Sequence, residues 1–119
     1  MENAAAHAFA RQWIAAWKHR DLDALLKHYS DDVEFRSPLA ARLFGADSGT
    51  IRGKETLRSY FTKALVAFPG ELDIELLGVY QGIDSIVVLF QARGRQGAEF
   101  MEFNGDNVVH RALAHAQAV

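Results

Sequence analysis

Few residues in this chain suit acid–base chemistry, and Glu99 is the most suggestive. In Glu99-Phe100-Met101-Glu102-Phe103, strand alternation puts Glu99 on one face with Met101 and Phe103. Apolar surroundings oppose the charged form of a carboxyl and raise its pKa, leaving a general acid or hydrogen-bond donor. The alternative is an exposed strand residue, or one half of an ion pair with Arg111. Further along, Arg111, Leu113 and His115 fall on one strand face, and His110, Ala112 and Ala114 on the other. Sharing Glu99's face would make His115 a proton shuttle, because imidazole titrates near working pH. The turn at Asn104–Asn107 decides this. A two-residue loop puts Glu99 with His110 and Ala112, a three-residue loop with Arg111 and Leu113.

Other side chains suit binding better than proton transfer. Trp13 and Trp17 can serve as core, or supply a wall and an indole N–H donor to a ligand. Tyr29 and Tyr60 can line a pocket, although helical spacing already accounts for them. Ser37 can bond a ligand or close a strand end. His7, His19, His28, His110 and His115 show no H-x-H or H-x-x-x-H spacing, so no metal site is expected. With no cysteine, disulfides, thiolate catalysis and zinc-thiolate sites are excluded. No P-loop, nucleotide fingerprint, Ser-His-Asp pattern or haem motif is present, and no cofactor is expected.

The elements that must hold these groups follow from periodicity. Phe9, Trp13 and Trp17 recur at i, i+4, i+8, with Ala6, Ala10, Ile14 and Ala16 around them, predicting an amphipathic helix that ends at Lys18-His19-Arg20. Asp21 is placed to cap a second helix carrying Leu22, Leu25, Leu26 and Tyr29 on one face. Ser30-Asp31-Asp32 reads as an acidic turn into a strand Val33–Arg36, which Pro38 ends. Leu39–Thr50 lacks a period and reads as a mobile loop with one helical turn, a lid over a cavity. A short strand at Thr50–Gly53 precedes a third helix from Lys54 to Phe68, stopped by Pro69-Gly70. Strands are then predicted at Leu72–Leu76, Ile86–Phe90, Glu99–Phe103 and Val108–His115, with turns at Gln81-Gly82, Gly94–Gly97 and Asn104–Asn107. Three helices before a run of antiparallel strands make one α+β domain over residues 1–119.

Composition narrows the partners. A net charge of −2, with no basic face in the pattern, argues against nucleic acid. No apolar run approaches the ~18 residues that span a bilayer. The N-terminal stretch reads as a helix start and not a signal peptide, so a cytoplasmic location without membrane association is expected.

Asp21–Pro38, with Trp13-Ile-Ala-Ala-Trp17 before it and Phe100-Met-Glu-Phe-Asn-Gly105 after it, resembles the nuclear transport factor two-like superfamily. The nearest branch is SnoaL-like and ketosteroid-isomerase-like. The resemblance implies a cone-shaped half-barrel of curved antiparallel sheet, closed by three N-terminal helices over a pocket. It also implies a homodimer through the convex sheet face. Matched motif by motif, the isomerases' first-helix tyrosine falls at Trp13, their proton-moving carboxylate at Ser37, their late-strand acid at Glu99 and a supporting tyrosine at Phe61. A serine without an activating partner is no base near neutral pH, so the resemblance does not extend to the ketosteroid isomerase reaction.

The family pattern favours the three-residue loop. Glu99 and His115 are thereby expected as acid–base residues, and Trp13, Trp17, Tyr29, Ser37, Tyr60, Phe61, Met101 and Arg111 as ligand contacts. The expected partner is a small hydrophobic, carbonyl-bearing molecule. The protein is then either an enzyme of isomerase, cyclase or dehydratase type, or a non-catalytic ligand-binding or dimerisation module.

Overall fold

The computed structural model describes residues 2–45 and 48–118. Four helices and six strands occur among them: α1 Asn3–Lys18, α2 Leu22–Leu26, β1 Tyr29–Arg36, α3 Pro38–Phe44, β2 Thr50–Arg52, α4 Lys54–Ala67, β3 Ile74–Gly82, β4 Ser85–Ala92, β5 Arg95–Phe103 and β6 Val109–Ala116. One curved, unclosed sheet runs in the order β2-β1-β6-β5-β4-β3, and the helices cover its concave face. This is the expected α+β cone, with two differences. It has a fourth helix, and β1 pairs with β6 in parallel, while the other neighbours are antiparallel. No helix among the described residues is long and apolar enough to cross a membrane.

The helices form where the apolar spacing puts them. Phe9, Ala10, Trp13 and Ile14 of α1 are buried against the sheet. Asp21 caps α2, its carboxylate accepting from the Ala24 amide at 3.1 Å. That helix ends at Leu26, so Tyr29–Asp32 belongs to β1 instead of a helix end and a turn. Arg20 ties the α1–α2 corner to the end of α4. Its guanidinium donates to the carbonyls of Phe68 (2.9 Å), Gly70 (3.0 Å) and Leu65.

The first half of the stretch expected as a loop, Leu39–Phe44, is helical. Ser37 is the N-cap of α3, its hydroxyl accepting from the Leu39 amide at 3.1 Å. Pro38 occupies the first turn, and Gly45 closes the helix at φ 63°. Pro38 therefore starts a helix as well as ending a strand, because its missing N–H costs nothing in a first turn. Ala46 and Asp47 of the expected lid lie outside the described residues.

The β3–β4 hairpin turns later than expected, at Ile83-Asp84, because β3 runs on to Gly82, and the β4–β5 hairpin turns earlier, at Arg93-Gly94, because β5 already begins at Arg95. The β5–β6 connection settles which face Glu99 shares. Phe103 stands opposite Val109, which on its own would carry Arg111 and Leu113 inward. A bulge at His110 then inserts one residue, so Met101 faces Ala112 and Glu99 faces Ala114. One extra residue inverts every later side chain. The face expected for Arg111, Leu113 and His115 is corrected accordingly: they lie on the outer side of the sheet.

A candidate pocket acid

The concave face and helices α1, α3 and α4 enclose a cavity of about 540 Å³. Its walls are mostly apolar, with aromatic rings from both the helices and the sheet. The ring of Trp13 meets Phe90 edge-on at 5.6 Å, and Trp17 meets Phe61 at 5.0 Å. Phe90 can lie across β5 because the residue beneath it is Gly97. A Cβ there would sit 2.4 Å from the Phe90 ring.

Glu99 projects from β5 into this cavity and is only 5 % exposed. Its Oε2 has no hydrogen-bond partner among the described residues. Loss of solvent raises its pKa from 4.5 to about 8. At neutral pH roughly nine in ten such carboxyls are protonated, so the group is a donor in an apolar chamber. Its charge, when present, bears on Tyr29 and Tyr60, helping to raise both phenols.

Two further polar groups meet the cavity. Ser37 Oγ and Tyr60 Oη lie 3.3 Å apart, joining the cap of α3 to α4. Burial pushes the Tyr60 hydroxyl up to about 12, so it stays a neutral donor or acceptor. The indole N–H of Trp13 is committed to Tyr29 Oη at 3.0 Å. Trp13 therefore offers a ligand its ring surface and not the donor that its sequence position suggested.

The structure gathers Trp13, Trp17, Ser37, Tyr60, Phe61 and Glu99 around one cavity. Tyr29 and Met101, at 1 % and 0 % exposed, are core residues outside the lining. Arg111 and His115 are not brought there at all. On the outer face Arg111 Nε lies 3.9 Å from Glu34, which also pairs with Arg52 at 2.8 Å. His115 is exposed, its Nδ1 3.1 Å from the Leu113 carbonyl. Neither residue can contact Glu99 through the sheet, so the expected His115 shuttle and Arg111 contact are corrected, and Glu99 has no Arg111 partner.

Sequence reasoning missed lining residues at the cavity rim: Arg42 on α3, Asp73 before β3, and Arg93 and Arg95 at the β4–β5 hairpin. The available signal was the arginine pair flanking Gly94, where a tight turn would favour small polar residues. No group of three or more His, Asp or Glu suited to a metal ion occurs among the described residues.

Comparison with known proteins agrees with the fold. The profile of the SnoaL-like domain family matches residues 10–116. A SnoaL-like protein of unknown function from Burkholderia thailandensis is 38% identical, with 98% of each chain covered and a TM-score of 0.93. A candidate SnoaL-like polyketide cyclase from Shewanella denitrificans is 14% identical, with 94% of this chain and 90% of that one covered and a TM-score of 0.72. A candidate ketosteroid isomerase from Kribbella flavida is 17% identical, with 94% and 77% covered and a TM-score of 0.69. The last two likenesses are of fold alone. No curated protein matches. By the near-complete family match and the close structural relative, the chain belongs to the SnoaL-like domain family.

Proposed function

We propose that the cavity binds a small hydrophobic, carbonyl-bearing molecule and that Glu99 is its acid–base residue. One observation carries this reading: a buried carboxyl without a partner on Oε2 projects into an apolar cavity. A carboxyl that only stabilised the fold would be paired, because an unmade bond at a buried polar atom costs about 1–3 kcal/mol. A ligand carbonyl supplies the missing acceptor. Hydrogen bonding to the neutral acid draws charge onto that oxygen and loosens the adjacent C–H bonds, the first requirement of isomerase, cyclase and dehydratase chemistry. In its ionised form the same group takes a proton from the carbon beside the carbonyl. The acid so formed returns that proton to the enolate oxygen or to another carbon, so that the proton is moved within the ligand and Glu99 is restored.

Exchange of the α-protons of 2-tetralone for deuterium, followed by NMR, tests the catalytic part. Acceleration by the protein and its loss in Glu99→Gln is the expected result. Binding of the ketone without acceleration would leave the non-catalytic ligand-binding module. One feature favours that second reading: Ser37, bonded to Leu39 and Tyr60, falls where the isomerase resemblance implies a base, and a serine so placed is no base.

The outer sheet face supports a homodimer. Val87, Leu89, Phe100 and Leu113 form a half-buried apolar strip there. Glu34, Arg52 and Arg111 beside it carry both signs of charge, as a self-complementary interface requires. Sedimentation at micromolar concentration is expected to show twice the 13.2 kDa chain mass; a monomer would remove this part.

A further inference from the structure

The walls of the cavity are apolar, but its rim is charged, and the charges do not balance. Arg42, Arg93 and Arg95 all line it, against the single exposed carboxylate of Asp73. Among the described residues no carboxylate oxygen lies within 4.0 Å of these three guanidinium groups, although ion pairs form elsewhere on the surface. Arg42 is close enough for its charge to act on the Tyr60 hydroxyl.

The setting of Arg93 is unusual. It takes φ 54° and Gly94 takes φ 79° in the two-residue turn between β4 and β5. Two consecutive positive φ values mark a type of hairpin that favours Asn, Asp and Gly, and an arginine there carries a conformational cost. The same turn fixes its direction: the Arg93 amide donates to the Asp73 carbonyl at 3.2 Å, and the guanidinium lies 5.1 Å over the Phe68 ring at the cavity wall. A guanidinium stacked by its face keeps its edge donors free for an anion. Arg95 spends Nη2 on the Gln117 carbonyl at 2.8 Å and has other donors to give.

Resting on the ligand-pocket reading above, we infer that the ligand is an elongated oxo acid, with a carbonyl meeting Glu99 and a carboxylate held by the rim arginines. Arg95 and Glu99 lie on the same face of β5, four residues apart. That is roughly 13 Å along the strand, and the reach of the arginine side chain shortens the separation the ligand must span. Such a molecule fills the aromatic chamber with its body. It presents the planar, bidentate acceptor that a guanidinium fork fits best.

4-Benzoylbenzoate and its methyl ester test this, since the two share an aryl ketone and differ in the charge. Both tryptophans of the chain line the cavity, so quenching of their fluorescence reports occupancy. The acid is expected to bind about tenfold more tightly than the ester in low salt, a preference that ~0.5 M salt largely removes. Arg93→Gln/Arg95→Gln and Arg42→Gln should each lower the ratio of acid to ester affinity severalfold, and this ratio separates the loss of charge from any change in the wall that both probes feel. Circular dichroism checks that the variants keep the fold. Equal binding of acid and ester overturns the inference while leaving the pocket reading intact. A preference that survives salt and all three substitutions overturns the assignment to these arginines. Failure of both probes to quench overturns the pocket reading and the inference with it.

Discussion

Replacing Glu99 by glutamine should change how stability depends on pH, in a direction and by an amount that the site fixes. The folded protein holds this carboxyl at a pKa of about 8, against 4.5 when exposed. Between those values the native state binds the proton that the unfolded chain has released. The group's neutral form therefore supports the fold fully at low pH, and stability falls as pH rises until both states are ionised. The full span corresponds to about 5 kcal/mol, of which roughly 3–4 kcal/mol is lost between pH 5 and pH 8. Tyr29 and Tyr60, the titratable groups on which Glu99 acts, have phenols raised above their ordinary range and do not titrate in that window. His28, which burial holds below 6.5, works in the opposite sense at the acid end. Comparing wild type with Glu99→Gln cancels it. Urea unfolding followed by tryptophan fluorescence, at roughly one-unit steps from pH 5 to pH 8, should show near-equal stability at the acid end. By pH 8 the variant should be more stable by about 3 kcal/mol. A difference that stays constant across the series would mean that Glu99 ionises in the fold at no cost, and the pocket acid would be refuted.

Gly97→Ala should push the Phe90 ring off β5 and into the cavity, since the new Cβ would lie 2.4 Å from it. A loss of about 1–3 kcal/mol in urea unfolding is expected, with weaker binding of the ketone probes; unchanged values for both would show that the ring has another place to go. Arg20→Met removes the bonds to the carbonyls at the end of α4 and should cost roughly 2–3 kcal/mol by the same assay.

Glu99 was legible because alternation on β5 held through the whole strand: Met101 and Phe103 are buried on its side. The opposite strand was not, because the bulge at His110 leaves no sequence mark and reverses everything after it. Arg111 and His115 were placed on the wrong face for that reason alone. Helix α3 was hidden behind a true statement about Pro38, which ends β1; the Ser37 cap and Gly45 stop were there to be read. The rim arginines escaped notice because they belong to no periodic face. Arg42 is on α3, Arg93 is in a turn, and Arg95 begins a strand longer than its apolar pattern. Charges that act at a cavity mouth are brought together by the closing of the sheet, a long-range event that local patterns do not record.

The strand order has a consequence for how the chain reaches its folded form. β6 is inserted between β5 and β1, so its neighbours come from the two ends of the sequence. During synthesis the β1–β2 pair with its helices, and the β3–β4–β5 meander, can each form from nearby residues. Until Val109–Ala116 emerges, both fragments carry an open edge where β6 will bind, and such edges recruit other chains. The last strand to be made thus joins the two halves, and the cavity acquires its Ala114 wall only then. Closure through contacts as distant as Glu34 with Arg111 is slow by nature. A nascent chain of this kind has its greatest exposure to aggregation, and its greatest need of a chaperone, in the moments before the final strand arrives.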